Sequence, residues 1–313
     1  MDNIKLFYVG DFVKENGPSN VDIKLKENLH NKDVSFCQSN KRPSLKKIVN
    51  YFEYPIVHIS GVSFWGMVFC IIGRLLAKKI TYMAHGFLYR EAYFRRVPLH
   101  RRLFEYILLK LSHRIIVVSN LMKDDCLFPS KVSIVPNGVD LSEKASVTKN
   151  SSLITCIGGG RVEKNHLAVC RVIQQLNQEG HQFKLNLFGE ESSESPEIRR
   201  FDFVTDYGFV SRKVIEKSLL ESQLFIQYSV QEAFSLAVAE AINCHCKIIT
   251  SQHVGINQYV EEGQHYHIVH DDNELKQSIL TLMSDDRPTC IKHKLLSWSD
   301  VALEYQKVWR IKN

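Results

Sequence analysis

A chain of 313 residues, 44% apolar and 24% charged, carries enough apolar side chain for packed cores and too much for an intrinsically disordered chain. Its length suits two domains of about 150 residues better than one. The net charge of +6 is unevenly held: residues 1–140 carry 21 Lys and Arg against 12 Asp and Glu, and the remainder 19 against 22, so an anionic partner belongs to the first half. The first residues lack a basic n-region and an apolar h-region, so no secretory signal is expected. The most apolar stretch, Val62–Ile72, is 11 residues long, against the roughly 20 that a bilayer needs. Eight scattered cysteines, several inside apolar runs, read as buried free thiols of a reduced, cytoplasmic protein. Cys244-His245-Cys246 is too closely spaced for a zinc site and has no second pair, so no metal is expected.

Along the first half, short apolar runs alternate with helical patterns. Strands are expected at Ile4–Val9, Val34–Phe36, Ile56–Ile59, Ile80–Ala84 and Ile115–Val118, with helices at Asn20–Leu29, Leu45–Phe52, Phe64–Ala77 and Leu99–Leu111 between them. The second half repeats the rhythm: strands at Leu153–Ile157, Phe183–Phe188, Leu224–Gln227 and Cys246–Thr250, and helices at His166–Gln178, Arg212–Glu221, Ser235–Asn243 and Asp272–Met283. Continuous apolar strands are those of parallel sheets covered on both faces. The chain is therefore expected to be α/β, with two doubly wound domains: 1–140 and 153–294, joined by a polar, aperiodic linker at 141–152. A final helical segment, Leu295–Ile311, is placed to pack back on the first domain.

Ligands of such sheets bind beyond the carboxyl ends of the strands. Three strand-to-helix turns stand out there. Gly158-Gly159-Gly160-Arg161-Val162-Glu163-Lys164-Asn165 joins glycines, whose bare amides let a ligand approach, to an arginine fork and a lysine point charge suited to a diphosphate. It is neither a Walker loop nor Gly-x-Gly-x-x-Gly, and no dinucleotide fingerprint follows the first strand, which disfavours an oxidoreductase. Glu232 and Glu240 stand eight residues apart, about 12 Å along one helix and on different faces, so they are not a glycosidase pair. If Ser235 caps the helix, Glu232 lies on the preceding loop, Glu240 lies inside the helix, and the amides of Phe234, Ser235 and Leu236 face an anion. Val135-Pro-Asn-Gly-Val-Asp140 follows a strand and ends the first half; its plain reading is an Asn-Gly turn.

The joint order of Val118-Ser119, Val135–Asp140, Gly158–Asn165, Phe188-Gly189-Glu190, Tyr207-Gly208-Phe209-Val210-Ser211 and Glu232–Glu240 resembles glycosyltransferase family 4, over most of the chain and most strongly from 114 to 265. The resemblance implies a GT-B fold, two Rossmann-like domains facing a central cleft, and a retaining sugar transfer without a metal. It implies roles as well: Arg161 and Lys164 on the donor diphosphate, Glu240 on the ribose, Glu232 and the amides after it on the donor sugar. Tyr207–Val210, with Gly208 and Phe209, would wall the nucleotide base. Gly17-Pro18-Ser19-Asn20, before the first helix, resembles the glycine loop that faces the diphosphate from the other domain. His85-Gly86 resembles the cleft histidine that contacts the donor sugar. The catalytic set is thus His85, Glu232, Arg161 and Lys164, and the donor-binding set Gly17, Gly159, Gly160, Gly208, Phe209, Phe234, Ser235, Leu236 and Glu240.

The chain also departs from the family pattern. Gly159 stands where the family's arginine lies five residues before the lysine, and Arg161 is only three before Lys164. A single Gly17 followed by Pro18 replaces paired glycines, Cys244-His-Cys-Lys247 replaces Cys-Gly-x-Pro, and Gln258 takes a later acidic position. The expected donor is a UDP- or GDP-linked sugar, and the acceptor a saccharide or lipid-diphosphate-linked saccharide of surface polysaccharide or lipopolysaccharide synthesis. Arg90, Arg95, Arg96, Arg101 and Arg102, set among aromatics in Tyr89–Arg102, are candidates for an anionic membrane at its inner face; nucleic acid is not expected as a partner. The rival functions are a GT-B nucleotide-sugar epimerase and a catalytically silent GT-B binding subunit.

Overall fold

The computed structural model describes residues 4–13, 17–29, 33–140, 147–159 and 161–310. In chain order the first half runs β1 (Lys5–Gly10), α1 (Gly17–Asn28), β2 (Asp33–Gln38), α2 (Leu45–Glu53), β3 (Ile56–Ser60), α3 (Phe64–Leu75), β4 (Lys79–Met83), α4 (Leu88–Glu91), α5 (Leu99–Leu111), β5 (Arg114–Val117), α6 (Asn120–Asp125) and β6 (Val132–Ile134). The six strands form one parallel sheet in the order β2-β1-β3-β4-β5-β6. Parallel neighbours need a crossover, and the helices between the strands supply it by covering the sheet. Ser63 and Ser119 start α3 and α6 by accepting the amides of Gly66 at 3.0 Å and Met122 at 3.3 Å. On one face of the sheet Phe7, Tyr51 and Phe69 meet edge to face or tilted, with centroids 4.7 to 5.3 Å apart.

The second half continues with β7 (Asn150–Gly159), α7 (His166–Gln178), β8 (Lys184–Gly189), α8 (Ser195–Ile198), β9 (Val204–Asp206), α9 (Arg212–Glu221), β10 (Ser222–Gln227), α10 (Leu236–Asn243), β11 (Lys247–Ser251), β12 (Tyr266–Val269), α11 (Asp272–Met283) and α12 (Trp298–Arg310). Its parallel sheet has the order β12-β11-β10-β7-β8-β9. The core is aliphatic: Ile154, Val169, Ile173, Leu176, Leu185, Leu224, Ile226, Ile249 and Ile279 are all fully buried or within 1% of it.

By contact the chain divides into two compact units, Met1–Gly138 with Leu296–Asn313, and Val139–Leu295. Within the first unit α12 packs on α1. Its Tyr305 and Trp309 close over the buried His58, with ring centroids 5.6 and 5.4 Å away. Trp298 lies directly on Gly138, where a Cβ would fall 2.8 Å from the Trp298 Cα. Residues 135–138 form no turn in the structure, and Gly138 is explained instead by its contact with this helix.

The structure differs from the sequence expectation at several places. Gly17 and Pro18 are not in a loop before α1 but are its first residues; proline suits that turn because its missing amide has no helical partner there. Of the linker expected at 141–152, residues 141–146 lie outside the described residues and Asn150–Ser152 already belong to β7. Those positions are polar because they sit at an exposed strand end. Of three short strands, β6 was expected only as an unbounded strand before Val135, and β9 and β12 were not expected. Each is three or four residues long at a sheet edge and carries a polar residue within it (Ser133, Thr205, His267), which leaves no apolar run to find.

Candidate functional site at the carboxyl edge of the second sheet

Three adjacent strands, β7, β8 and β9, end at or beside glycines that touch one another. Gly189 has φ +133°, and a Cβ there would overlap the Gly159 amide. A Cβ on Gly159 would in turn lie 2.7 Å from the Gly189 carbonyl carbon. The Gly189 amide donates to the Gly208 carbonyl at 2.9 Å. These glycines are fixed by backbone approach. Gly158, with φ +121°, leaves room for the Lys164 side chain, whose Cε would lie 2.9 Å from a Cβ there. Gly160 lies outside the described residues. Arg161 follows in extended conformation with an exposed side chain. It lines a concavity with Gly159, His166, Glu190 and Asp206, in which burial pushes the His166 imidazole down to about 3 and keeps it neutral.

Lys164 turns the other way. Its side chain is 7% exposed and forms an ion pair with Glu232, 16% exposed. The backbone holds both partners: the Val230 amide donates to the Glu163 carbonyl at 2.9 Å, and Glu232 bridges to Val254 through bonds to His253 and Gly255. Two segments distant in sequence thus present a lysine and a carboxylate as one pair.

Just beyond Glu232, α10 begins. Ser235 sits at φ +92°, rare for a residue with a Cβ. Its hydroxyl accepts the Val238 amide at 3.3 Å and donates to Gln227 Oε1 at 3.2 Å, and Gln227 donates to Ser229 at 2.6 Å. A buried chain of polar groups at the end of β10 therefore pins the cap. Among the described residues no hydrogen bond occupies the amides of Phe234, Ser235 and Leu236. The Phe234 ring itself is buried against Tyr259, with centroids 5.8 Å apart, so it offers a ligand its amide and not its side chain. Ser235→Ala removes the cap and should lower unfolding free energy by about 1 kcal/mol, measured by urea titration; an unchanged midpoint would show that Gln227 alone positions the turn. Inside the helix, Glu240 pairs with Arg212 at 2.6 Å, with side chains 36% and 66% exposed. A pair so exposed contributes about 0–1 kcal/mol and can be given up readily to a ligand. At the end of β9, Tyr207 stacks on Phe188 at 4.7 Å, Gly208 takes φ +63°, and Phe209 leaves its ring 76% exposed.

The first unit holds His85 and Gly17. His85 follows β4, and its Nε2 is 2.8 Å from the Ser60 hydroxyl. Burial pushes the imidazole down to about 4, so it is neutral near pH 7. Nearby, Asp22 is buried and accepts from the Tyr8 hydroxyl at 2.8 Å and the Asp11 amide at 2.7 Å, and burial pushes its carboxyl up to about 7. A carboxyl raised on folding contributes stability below its unfolded pKa and loses it as pH rises through the folded one. Wild type should therefore lose stability relative to Asp22→Asn between about pH 4 and pH 7, as followed by urea midpoints; parallel pH curves would show that Asp22 is not raised. Gly17 is exposed at the start of α1, and a Cβ there would meet nothing within 4 Å.

Residues 22–143 match the sequence profile of "Glycosyltransferase Family 4", and residues 151–285 that of "Glycosyl transferases group 1". The chain belongs to glycosyltransferase family 4. The Escherichia coli UDP-Gal:alpha-D-GlcNAc-diphosphoundecaprenol alpha-1,3-galactosyltransferase is 25% identical over 80% of this chain and 72% of its own length. Among solved structures, Thermosynechococcus elongatus sucrose-phosphate synthase superposes with a TM-score of 0.73 at 16% identity over 98% of both chains. Anabaena HepE in complex with UDP and glucose gives 0.67 at 14% identity, over 98% of this chain and 95% of its own. The fold is GT-B, and the glycosyltransferase draws on a nucleotide-sugar donor.

In the second unit of this glycosyltransferase, the turns at the carboxyl edge carry Gly159, Arg161, Lys164, Gly208, Phe209, Glu232 and Ser235, while Glu240 lies inside α10. Sequence reasoning missed Arg212 as the partner of Glu240, Gln227 as the anchor of Ser235 and Ser60 as the partner of His85. Gln227 carried a usable signal, a polar residue ending the apolar strand Leu224–Ile226. Within the basic segment, Arg90 lies 3.2 Å from Asp125 and Arg95 pairs with Glu91, whereas Arg96, Arg101 and Arg102 are exposed. No described helix is long and apolar enough to cross a membrane.

Proposed function

We propose that the glycosyltransferase moves a sugar from a UDP- or GDP-linked donor, with retention of configuration and without a metal cofactor, to a lipid-diphosphate-linked saccharide of surface polysaccharide or lipopolysaccharide synthesis. The observation that carries this is the Lys164–Glu232 pair beside the unoccupied amides of α10. A cation and a helix N-terminus together meet a diphosphate, and a carboxylate among them meets sugar hydroxyls. Arg161 adds a second cation, Phe209 a face for the base, and Glu240 an acceptor for ribose hydroxyls once Arg212 yields. His85 contacts the donor sugar through its neutral imidazole. The E. coli relative, a galactosyltransferase acting on a diphosphoundecaprenol-linked sugar, supports the lipid-diphosphate acceptor, and the exposed Arg96, Arg101 and Arg102 suit the anionic surface where such an acceptor lies.

In the transfer, the bond from the anomeric carbon to the diphosphate oxygen breaks, the acceptor oxygen attacks on the same face, and the departing diphosphate oxygen takes the acceptor's proton. Lys164, Arg161 and the α10 amides stabilise the charge that gathers on the leaving group, which replaces the positive charge a metal would bring. The test is thermal unfolding against a panel of nucleoside diphosphates and nucleotide sugars, with Glu240→Ala alongside. A ligand at a hundred times its Kd adds about 2.7 kcal/mol, a shift of several degrees at this size. One nucleotide class should shift wild type and not the variant; equal shifts in both would remove Glu240 from the ribose. An inverted product in an anomeric NMR assay would overturn retention.

A further inference from the structure

Helix α2 is folded with its polarity reversed. Its sequence Leu-Lys-Lys-Ile-Val-Asn-Tyr-Phe-Glu places Leu45, Ile48, Val49 and Phe52 at i, i+3, i+4 and i+7, the stripe that an amphipathic helix normally buries. Here that stripe faces solvent, with Leu45 77%, Val49 49% and Phe52 58% exposed. What turns inward is Tyr51, whose hydroxyl donates to the Phe69 carbonyl of α3 at 2.7 Å, together with Asn50 and Lys47, which reach Ser35 on β2. The helix is thus held by polar contacts and one ring, while much of its apolar face stays exposed, Ile48 least at 37% and Phe52 meeting the edge of Tyr51 at 5.6 Å.

The pattern extends beyond α2. The crossovers α2, α3 and α5 lie side by side on one face of the first sheet: Tyr51 rests on Phe69 of α3, and Phe64 of α3 meets Phe104 of α5 at 6.2 Å. Leu75 on α3 and Leu99 and Leu103 on α5 are also largely exposed, at 81%, 78% and 57%. A soluble surface seldom carries so many large apolar side chains on one helical layer unless something covers them. The flanking charge identifies the cover. Lys41, Arg42 and Lys46 are exposed at the amino end of α2, and Arg101 and Arg102 in the first turn of α5; the stripe's one acidic neighbour on α2 is Glu53 at its far end. Apolar side chains rimmed by cations match a bilayer bearing anionic headgroups, where the former enter the acyl boundary and the latter meet phosphates.

We propose that α2 is a membrane-seating helix, and that Leu45, Ile48, Val49 and Phe52 insert into an anionic lipid surface with Lys41, Arg42 and Lys46 on its headgroups. This deepens the lipid-linked acceptor reading and rests on it for its purpose, since a bilayer-bound acceptor is reached only by an enzyme held at the bilayer. It also moves the principal contact from Tyr89–Arg102 to α2.

The full-length chain is sedimented with vesicles of equal parts phosphatidylcholine and phosphatidylglycerol, and with phosphatidylcholine alone. Wild type should bind the anionic vesicles. Replacing Leu45, Ile48, Val49 and Phe52 together by glutamine should weaken binding about tenfold or more, and Lys46→Gln about fivefold. All four apolar side chains are exposed, so the variant keeps its fold, and Phe52→Trp supplies a second readout, a blue-shifted emission with anionic vesicles. Failure of wild type to bind, or equal binding by the glutamine variant, overturns the proposal. So does a vesicle-independent change from dimer to monomer in light scattering, which would make the stripe a contact between copies. Transfer to a water-soluble short-chain acceptor is assayed in parallel. The glutamine variant should retain it, and its absence in wild type that still binds vesicles would instead count against the acceptor reading.

Discussion

Lys164→Ala is expected to abolish most sugar transfer and to destabilise the second unit at the same time. The lysine and Glu232 are paired where their side chains are 7% and 16% exposed. Removing one member leaves a charge without its counter-charge in a poorly solvated place, a change that costs about 3–5 kcal/mol when a buried pair is broken. The loss to catalysis arises separately: a preorganised donor aimed at developing charge is worth about a hundredfold to a thousandfold in turnover. The two effects are separable by a cycle. Glu232→Gln keeps the shape and removes the charge that Lys164 neutralises. The double variant Lys164→Met/Glu232→Gln leaves neither charge of the pair without its partner, so its unfolding free energy should recover to within about 1 kcal/mol of wild type, because replacing both partners is far cheaper than removing one. Transfer should stay lost in all three. If the double variant regains transfer together with stability, the pair is a structural strut and the donor diphosphate is held elsewhere, with Arg161 the next cation to test.

The strands that could be read from the sequence were the apolar ones at the centre of each sheet. Leu153–Ile157 and Leu224–Gln227 are central strands, and burial on both faces writes a mostly apolar run in which only Thr155 and Gln227 are polar. Edge strands need no such run, which is why Val204–Asp206 and Tyr266–Val269 passed unnoticed. The site was legible wherever one loop carried its own chemistry: Gly158–Asn165 between a strand and a helix, and Ser235 as a cap with Glu232 before it. The pairings between loops were not legible. Nothing in Arg212 or Glu240 marks them as partners, because their meeting depends on α9 and α10 lying side by side, a tertiary fact. Arg161 and Lys164 illustrate the same limit. They look like twin phosphate ligands three residues apart, yet one is exposed beside Glu190 and Asp206 and the other is buried on Glu232. The orientation of α2 shows the limit in its sharpest form. Periodicity predicted a helix over Leu45–Phe52 correctly, and the usual inference that its apolar stripe faces the core would be wrong, because Tyr51, Asn50 and Lys47 hold it the other way round.

Gly189→Ala should be the most damaging single-atom change at the site, and Gly208→Ala one of the mildest. Both glycines have positive φ at the carboxyl edge of the second sheet, +133° and +63°. Only the second value lies in the left-handed basin that a residue with a Cβ can enter, at roughly 1–2 kcal/mol. A Cβ on Gly208 meets nothing within 4 Å, whereas one on Gly189 would overlap the Gly159 amide and lie 3.1 Å from the Gly158 carbonyl carbon. Backbone cannot swing aside as a lysine tip can, so β7 and β8 must part at their ends. The expected destabilisation is about 3 kcal/mol or more, since strain of the backbone adds to overlap, against about 1 kcal/mol for Gly208→Ala. At roughly 2–4 °C per kcal/mol for a domain of this size, calorimetry distinguishes the two readily. The functional consequence follows from the same contact. Parting β7 from β8 displaces the Gly158–Lys164 turn, so nucleotide affinity should fall with Gly189→Ala even at temperatures where the fold persists. Equal losses from both substitutions would mean that the glycines are kept for the freedom of the ligand to approach. Unequal losses in the predicted order would mean that they are kept because two strands must end in contact before Arg161 and Lys164 can be aimed.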